Sequence, residues 1–245
     1  MCIRARGGGG AESDLPRAGS PVGRRPIMSN MNPSTRSLNP IDRAVIGLDR
    51  LLKSAVGPHI ATRAYPADGH PETVTDPGLK RRIAGLMRVN HAGEICAQAL
   101  YHGQAATAKR SAVGEQMTEA AQQEVDHLAW CARRLEELGD RPSLLDPLWY
   151  AGSFALGALA GISGDRRSLG FVAETERQVV EHLQGHLKQL PQEDRRTRAI
   201  LEQMIDDEAR HGGTALSQGG ELPPGPIKSA MRFTAKIMTT TAQRI

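Results

Sequence analysis

Glu124-Val125-Asp126-His127 and Glu208-Ala209-Arg210-His211 are two copies of one pattern, 84 residues apart. In each, the Glu and the His are separated by three residues, which puts them on one side of a helix. Each copy also follows another Glu at a similar distance. Glu94 lies 30 residues before Glu124, and Glu176 lies 32 before Glu208. Two antiparallel helices with a turn midway bring positions about 30 apart to the same height. The chain therefore reads as two helical hairpins, each presenting two carboxylates and one imidazole at one level.

The flanking sequence supplies the ends of these helices. Between Pro77 and Pro142 there is no proline, and the spacing predicts helices over 79–110 and 114–138, the second closed by Gly139. Two more are predicted over 166–190 and 192–217, separated at Pro191 and closed by Gly219-Gly220. Pro223, Pro224 and Pro226 precede a last helix at 227–243. Upstream, from Asn39-Pro40, apolar residues Val45, Leu48, Leu52, Ala55 and Val56 recur at helical steps. Residues 57–77, with Gly57, Pro58, Pro66, Gly69, Pro71 and Pro77, read as a linker. No segment alternates with period two, so no sheet is expected. The 27-residue connection 139–165 between the hairpins is the long crossover that a ferritin-like bundle needs. The expected fold class is all-α: a ferritin-like four-helix bundle with a long crossover plus additional N- and C-terminal helices.

Composition narrows the function classes. The 245 residues are enough for a full core in one or two domains. Aromatics at 3% disfavour all-β folds and binders that stack single-stranded bases. Three cysteines, Cys2, Cys96 and Cys131, make no disulfide framework and fit a reducing compartment. The net charge of +4 comes from residues 1–38, where six Arg outnumber Glu12 and Asp14, leaving 25 charges of each sign elsewhere. The folded part is neutral, so a nucleic-acid partner is not expected. The segment 1–38, with its run Gly7 to Gly10, reads as a disordered tail, a mis-assigned start or an Arg-rich targeting segment. Met28 and Met31 would serve equally well as starts. Residues 39–245 form the expected bundle domain.

Glu94, Glu124, His127, Glu176, Glu208 and His211 together match the ligand signature of di-iron and di-manganese carboxylate bundles. Four carboxylates neutralise two divalent ions, and oxygen and imidazole ligands suit iron or manganese better than thiolate-seeking metals. A solvated charged face is the plainer explanation of one Glu-x-x-His. The apolar neighbours Ile95, Ala97, Ala99, Phe171, Val172 and Ala173 argue instead for burial, where unpaired carboxylates are costly. His182, six residues after Glu176, is a candidate for proton relay or for supporting the ligands; an exposed polar face is its alternative. Asp126 and Asp207 flank the motifs and are placed to orient histidines, Asp207 being four residues before His211. Tyr101 either lines a substrate cavity or is plain core. His91 roughly shares the Glu94 side without being needed as a ligand, and Cys96 and Cys131 read as small buried residues.

Two segments suggest a greasy partner. Residues 148–164 carry no charge, yet four glycines dilute the run and it falls short of a membrane span. It is either a buried crossover helix or an apolar wall against a substrate or the bilayer surface. Within it Gly157 and Gly161 form a GxxxG pair. The last helix carries Ile227, Met231, Thr234, Met238 and Ala242 on one stripe and Lys228, Arg232 and Lys236 on another. That is a packed helix with a solvated basic face, or one that docks on a membrane.

Arg88-Val-Asn-His-Ala-Gly-Glu94, Glu124-Val-Asp-His127-Leu, Pro147-Leu-Trp-Tyr-Ala-Gly-Ser-Phe-Ala-Leu-Gly157 and Asp207-Glu-Ala-Arg-His211 together resemble the demethoxyubiquinone hydroxylase family, over about residues 40–245. The resemblance implies a di-iron monooxygenase of ubiquinone biosynthesis, which uses O2 to hydroxylate a prenylated demethoxy-benzoquinol ring. It implies that Glu94, Glu124, His127, Glu176, Glu208 and His211 hold two irons, with Glu124 and Glu208 bridging. It implies a catalytic place for His182 near the metals; the residue after it is Tyr in some relatives and Leu183 here. NADH or the reduced quinol is the implied electron source, and the chain has no GxGxxG dinucleotide fingerprint. A bacterial protein on the cytoplasmic side of the inner membrane, peripheral to it, is implied, with quinone-presenting partner proteins. The alternatives are a ferritin-like iron-oxidising or storage protein and a non-enzymatic, membrane-docking helical scaffold.

Overall fold

A computed structural model describes residues 57–245 continuously, together with Ile46, Asp49, Lys53 and Ser54. The expected tail over 1–38 and most of the expected N-terminal helix lie outside the described residues. Six helices follow, and no strand occurs among the described residues: α1 (Pro77–Thr107), α2 (Ser111–Glu137), α3 (Asp146–Ile162), α4 (Asp165–Leu187), α5 (Arg195–Ser217) and α6 (Gly225–Ala242).

The ends have local causes. Asp76 caps α1 by accepting from the Leu79 amide at 2.6 Å, with Pro77 at the first turn, where its missing N–H costs nothing. Asp194 caps α5 through the Thr197 amide at 3.0 Å. These caps start α1 two residues earlier, and α5 three later, than the proline positions alone suggest. Gly139 and Gly219, at φ 78° and 90°, take the left-handed turn after α2 and α5.

α1 and α2 form one antiparallel hairpin and α4 and α5 the other. α3 lies along α1 and carries the chain back between them, so the four long helices make the expected bundle with a long crossover. Its interior has three zones. One apolar core gathers Met87, Trp130, Leu135, Leu183, Leu201 and Met204. A second gathers Tyr101, Met117, Leu169, Val172 and Ala215. On each long helix the glutamates of the repeated motif fall between the residues of one core and those of the other.

The expected linker 57–77 is irregular but packed. Tyr65, Ala67 and Val74 are buried in the first core, and Glu72 pairs with Arg134. Arg134 is itself buried, held also by Asp194 at 3.2 Å and Glu137 at 3.1 Å.

The uncharged crossover has both a buried side and an exposed one. Tyr150, Gly157 and Gly161 are buried, whereas Leu148, Leu159 and Ile162 are exposed. Glycines make the buried side possible. A Cβ on Gly157 would overlap the Leu100 carbonyl, one on Gly103 the Phe154 carbonyl, and one on Gly161 the Thr107 hydroxyl. The GxxxG pair thus seats α3 backbone-to-backbone on α1. α6 rests on α1 through Met238 and Ala242, and reaches α4 where Lys228 lies 3.5 Å from Glu174. Ile227, Phe233 and Ile237 on α6 are exposed. No helix among the described residues is long and apolar enough to cross a membrane.

Gly157→Val is expected to force α3 off α1 and cost about 1–3 kcal/mol by overpacking. For a chain of this size that lowers the thermal midpoint by roughly 2–12 °C. Gly152→Ala, where nothing lies within 4 Å of the added Cβ, should leave the midpoint unchanged or raise it. Calorimetry of the two variants checks the difference.

Candidate metal centre

α1 brings Glu94 to the middle zone, α2 brings Glu124 and His127, α4 brings Glu176, and α5 brings Glu208 and His211. The four carboxylates and His127 are buried; His211 keeps one edge toward solvent. His127 Nδ1 lies 3.0 Å from Glu124 Oε2, 3.0 Å from Glu208 Oε1 and 3.6 Å from Glu94 Oε2. His211 Nδ1 lies 3.1 Å from Glu208 Oε2 and 3.4 Å from Glu124 Oε1. Glu124 and Glu208 therefore each turn one oxygen to His127 and the other to His211.

Two overlapping groups result, with ligand atoms within 4.8 Å of one another: Glu94, Glu124, His127 and Glu208, and Glu176, Glu208 and His211. Both oxygens of Glu124, Nδ1 of His127, Oε2 of Glu176 and Oε1 of Glu208 are buried without a hydrogen-bond partner. Several of these atoms are 3.0 Å apart, yet their directions do not make hydrogen bonds. They converge on common points instead of on each other. Buried polar atoms are rarely left so, and cations at those points would satisfy them all. The donor set, oxygen and imidazole without thiolate, fits a pair of hard or borderline divalent ions.

Without a metal the site holds protons. Burial pushes the Glu94 carboxyl up to about 8, reinforced by Glu208 and Glu124 and opposed by His127. Burial, and then Glu208, raise Glu176 well above the usual carboxylate range. Burial works against a charge on His127, but the carboxylates of Glu124, Glu208 and Glu94 around Nδ1 outweigh it and raise the imidazole well above its usual range. The same histidines outweigh burial at Glu208 and keep that carboxyl low.

The outer nitrogens of the histidines have partners that the spacing did not reveal. His127 Nε2 lies 3.0 Å from Asp207 Oδ2, and His211 Nε2 lies 2.8 Å from Gln123 Oε1. The expectation that Asp207 serves His211 on its own helix is thus corrected. Nδ1 of each ring is turned to the cluster, so Nε2 points across to the facing helix. In each case the partner is the residue just before the Glu of the opposite motif, a regularity present in the sequence. Arg63, from the expected linker, donates to Asp207 at 2.7 Å and lies 4.8 Å over the Trp130 ring. Asp126 orients no histidine; it accepts from the Thr62 amide at 2.6 Å.

Tyr101 is buried and donates its hydroxyl to Glu176 Oε1. His182 belongs to neither group. In the antiparallel α1–α4 pair, Asn90 meets His186 at 2.8 Å and Tyr101 meets Glu176. Stepping one turn along each helix from the Asn90–His186 pair brings His182 level with Glu94. Its ring stands edge-on to His186, with centroids 4.0 Å apart, and burial lowers its pKa. His91 turns away to α3, with Nδ1 3.1 Å from Asp146. Cys131 is buried, whereas Cys96 is only partly so.

A family model described as "Ubiquinone biosynthesis protein COQ7" matches residues 81–242. The chain belongs to the COQ7 family. Among curated relatives, a 3-demethoxyubiquinol 3-hydroxylase of Cupriavidus metallidurans is 56% identical over 207 residues, covering 84% of this chain and all of the relative. One from Ralstonia pickettii, with the same name, is 54% identical over 216 residues, with 84% and 100% covered. Another from Xanthomonas euvesicatoria is 53% identical over 218 residues, with 89% and 100% covered. The COQ7 match spans all six residues of the cluster, both outer partners and Tyr101. Relatives of this kind are enzymes, which stands against the storage and scaffold alternatives.

With its carboxyl pushed up to about 8, Glu94 carries a proton at pH 7 in the metal-free COQ7 cluster, and a divalent ion must displace it. Calorimetric titration of Mn(II) in buffers of different ionisation enthalpy is expected to read proton release, decreased by Glu94→Gln. The raised Glu94 pKa also stabilises the metal-free fold fully below about 4.5, and that contribution is lost as pH rises to about 8. Thermal midpoints of metal-free protein from pH 5 to 8 should fall, and fall less in Glu94→Gln.

Proposed function

We propose that this chain hydroxylates the ring of a prenylated demethoxy-benzoquinol with O2, in ubiquinone biosynthesis, using two irons held by Glu94, Glu124, His127, Glu176, Glu208 and His211. The observation that carries the reading is the convergence of buried, unpartnered carboxylate oxygens on two histidines, with Glu124 and Glu208 each reaching both. The substrate class comes from the names of the relatives.

Iron bound there supplies the activation of O2 that converting a ring C–H to C–OH requires. One oxygen atom enters the ring and the other leaves as water, with two electrons from NADH or the reduced quinol. Around that chemistry the chain positions its own groups. Glu94 and His127 would help hold one ion and Glu176 and His211 the other, with Glu124 and Glu208, each turned to both histidines, available to either. Asp207 and Gln123 fix the two imidazole rings from behind, so that Nδ1 stays turned inward. The Tyr101 hydroxyl occupies Oε1 of Glu176 and leaves Oε2 for a cation. His182, level with Glu94 and neutral by burial, is read as the catalytic group that carries protons toward His186 and the bundle end.

A substrate dissolved in lipid calls for a protein that meets the bilayer without crossing it. The exposed Leu148, Leu159 and Ile162 of α3 and Ile227, Phe233 and Ile237 of α6 support that reading. We place the protein on the cytoplasmic face of a bacterial inner membrane, where partner proteins present the quinone, with residues 39–245 as the catalytic domain.

The test is a turnover assay. Full-length protein loaded with ferrous iron is given a short-chain demethoxyquinone, NADH and 18O2, and the product is weighed by mass spectrometry. One labelled ring oxygen is expected, falling to background in Glu176→Ala. Protein that holds two irons and yields no labelled ring would overturn the substrate assignment; protein that binds no metal would overturn the ligand assignment too.

A further inference from the structure

Two consecutive residues of the segment before α1 reach across the outside of the metal centre. The Thr62 amide donates to Asp126 Oδ1 at 2.6 Å, and the Thr62 hydroxyl lies 3.2 Å from the same oxygen. Arg63 Nη1 donates to Asp207 Oδ2 at 2.7 Å. Asp126 is the residue directly before His127 on α2, and Asp207 is the one directly before Glu208 on α5. One short stretch of chain thus ties two facing helices together at the level of the cluster.

Arg63 also covers that side. Its guanidinium lies 4.8 Å over the Trp130 ring, whose centroid is 5.4 Å from that of His127. The Arg63 side chain is 42% exposed, whereas Asp207, Trp130 and His127 are buried. Asp207 divides its oxygens. Oδ1 takes Gln203 and Arg210 from its own helix, and Oδ2 is shared by Arg63 and His127 Nε2. Arg63 therefore holds the very oxygen that holds the imidazole. At the other end of the cluster the His211 side chain is 16% exposed, and its partner Gln123 is exposed.

We propose that Thr62 and Arg63 form a clasp that shuts the His127 side of the metal centre, with Arg63 as its positioning residue, so that ions enter and leave past His211. This rests on the two-ion reading of the cluster and not on the identity of the substrate. A ligand at a solvated edge can swing outward and give its place to water. An imidazole held from behind by a braced carboxylate cannot, and α2 and α5 must part before it moves. Without Arg63, Oδ2 of Asp207 loses its brace and Trp130 loses its cover, which opens a path for water to His127.

The experiment measures iron release. Full-length protein loaded with two ferrous ions under argon is mixed with an excess of a coloured ferrous chelator, and release is followed by absorbance. Wild-type protein is expected to lose one iron quickly and one slowly. Arg63→Gln should speed the slow phase about tenfold and leave the fast phase as it is. Arg63→Lys, which keeps the charge beside Asp207 but not the flat guanidinium, should recover part of the delay. Asp68→Asn breaks a 2.8 Å contact of the same segment with Arg133, away from the cluster, and should change neither phase. Should Arg63→Gln fail to fold, Asp126→Ala cuts the clasp at its other end and should speed the same slow phase. A single release phase in wild-type protein, an unchanged slow phase in Arg63→Gln, both phases quickened equally, or an equal effect of Asp68→Asn would overturn the clasp. Two irons held and released in those ways would leave the two-ion reading standing, whereas protein that takes up no iron removes that reading as well.

Discussion

Four carboxylates in one dry layer are the constraint around which this bundle is built. Each is costly to bury alone, and four side by side repel one another. The chain meets that cost in three ways: it raises the proton affinity of Glu94 and Glu176, favours a charge on His127, and turns the remaining oxygens toward points where cations would satisfy them. The apolar cores on either side hold the helices in register, so the carboxylates cannot drift apart to relieve their repulsion. Trp130, Met204 and Leu183 brace one side and Tyr101, Met117 and Leu169 the other. Here the cores serve the polar layer as much as the reverse.

Much of this was legible in the sequence because it depends on spacing. Glu-x-x-His fixes a helix side, and a second Glu about 30 residues upstream fixes a hairpin. Four helices and six convergent side chains follow from those two regularities. Helix ends were read less well where a cap decided them, as at Asp76 and Asp194, because proline marks where a helix cannot continue and not where its first amides find an acceptor. The span 57–77 read as a linker from its prolines and glycines, yet Arg63 and Tyr65 tie it to the bundle. Long-range anchoring of that kind leaves no periodic trace.

The outer partners of the histidines were missed for a similar reason. Reach along one helix suggested Asp207 for His211, but a ring whose Nδ1 faces inward sends Nε2 to the neighbouring helix. The crossover α3 was legible as apolar but not as two-sided. Its glycines bury one side so closely that the large apolar side chains are left on the other.

The two Glu-x-x-His motifs are copies in position but not in charge. Behind His127 stands a carboxylate, Asp207, braced by Arg63; behind His211 stands the neutral amide of Gln123, at the bundle's wetter edge. A carboxylate makes an imidazole a more basic, more electron-donating ligand than an amide does. Duplicated geometry has therefore been given a polarity. Two identical ions placed in this layer would not be equivalent, and the cluster has a built-in direction running from its dry half to its wet one.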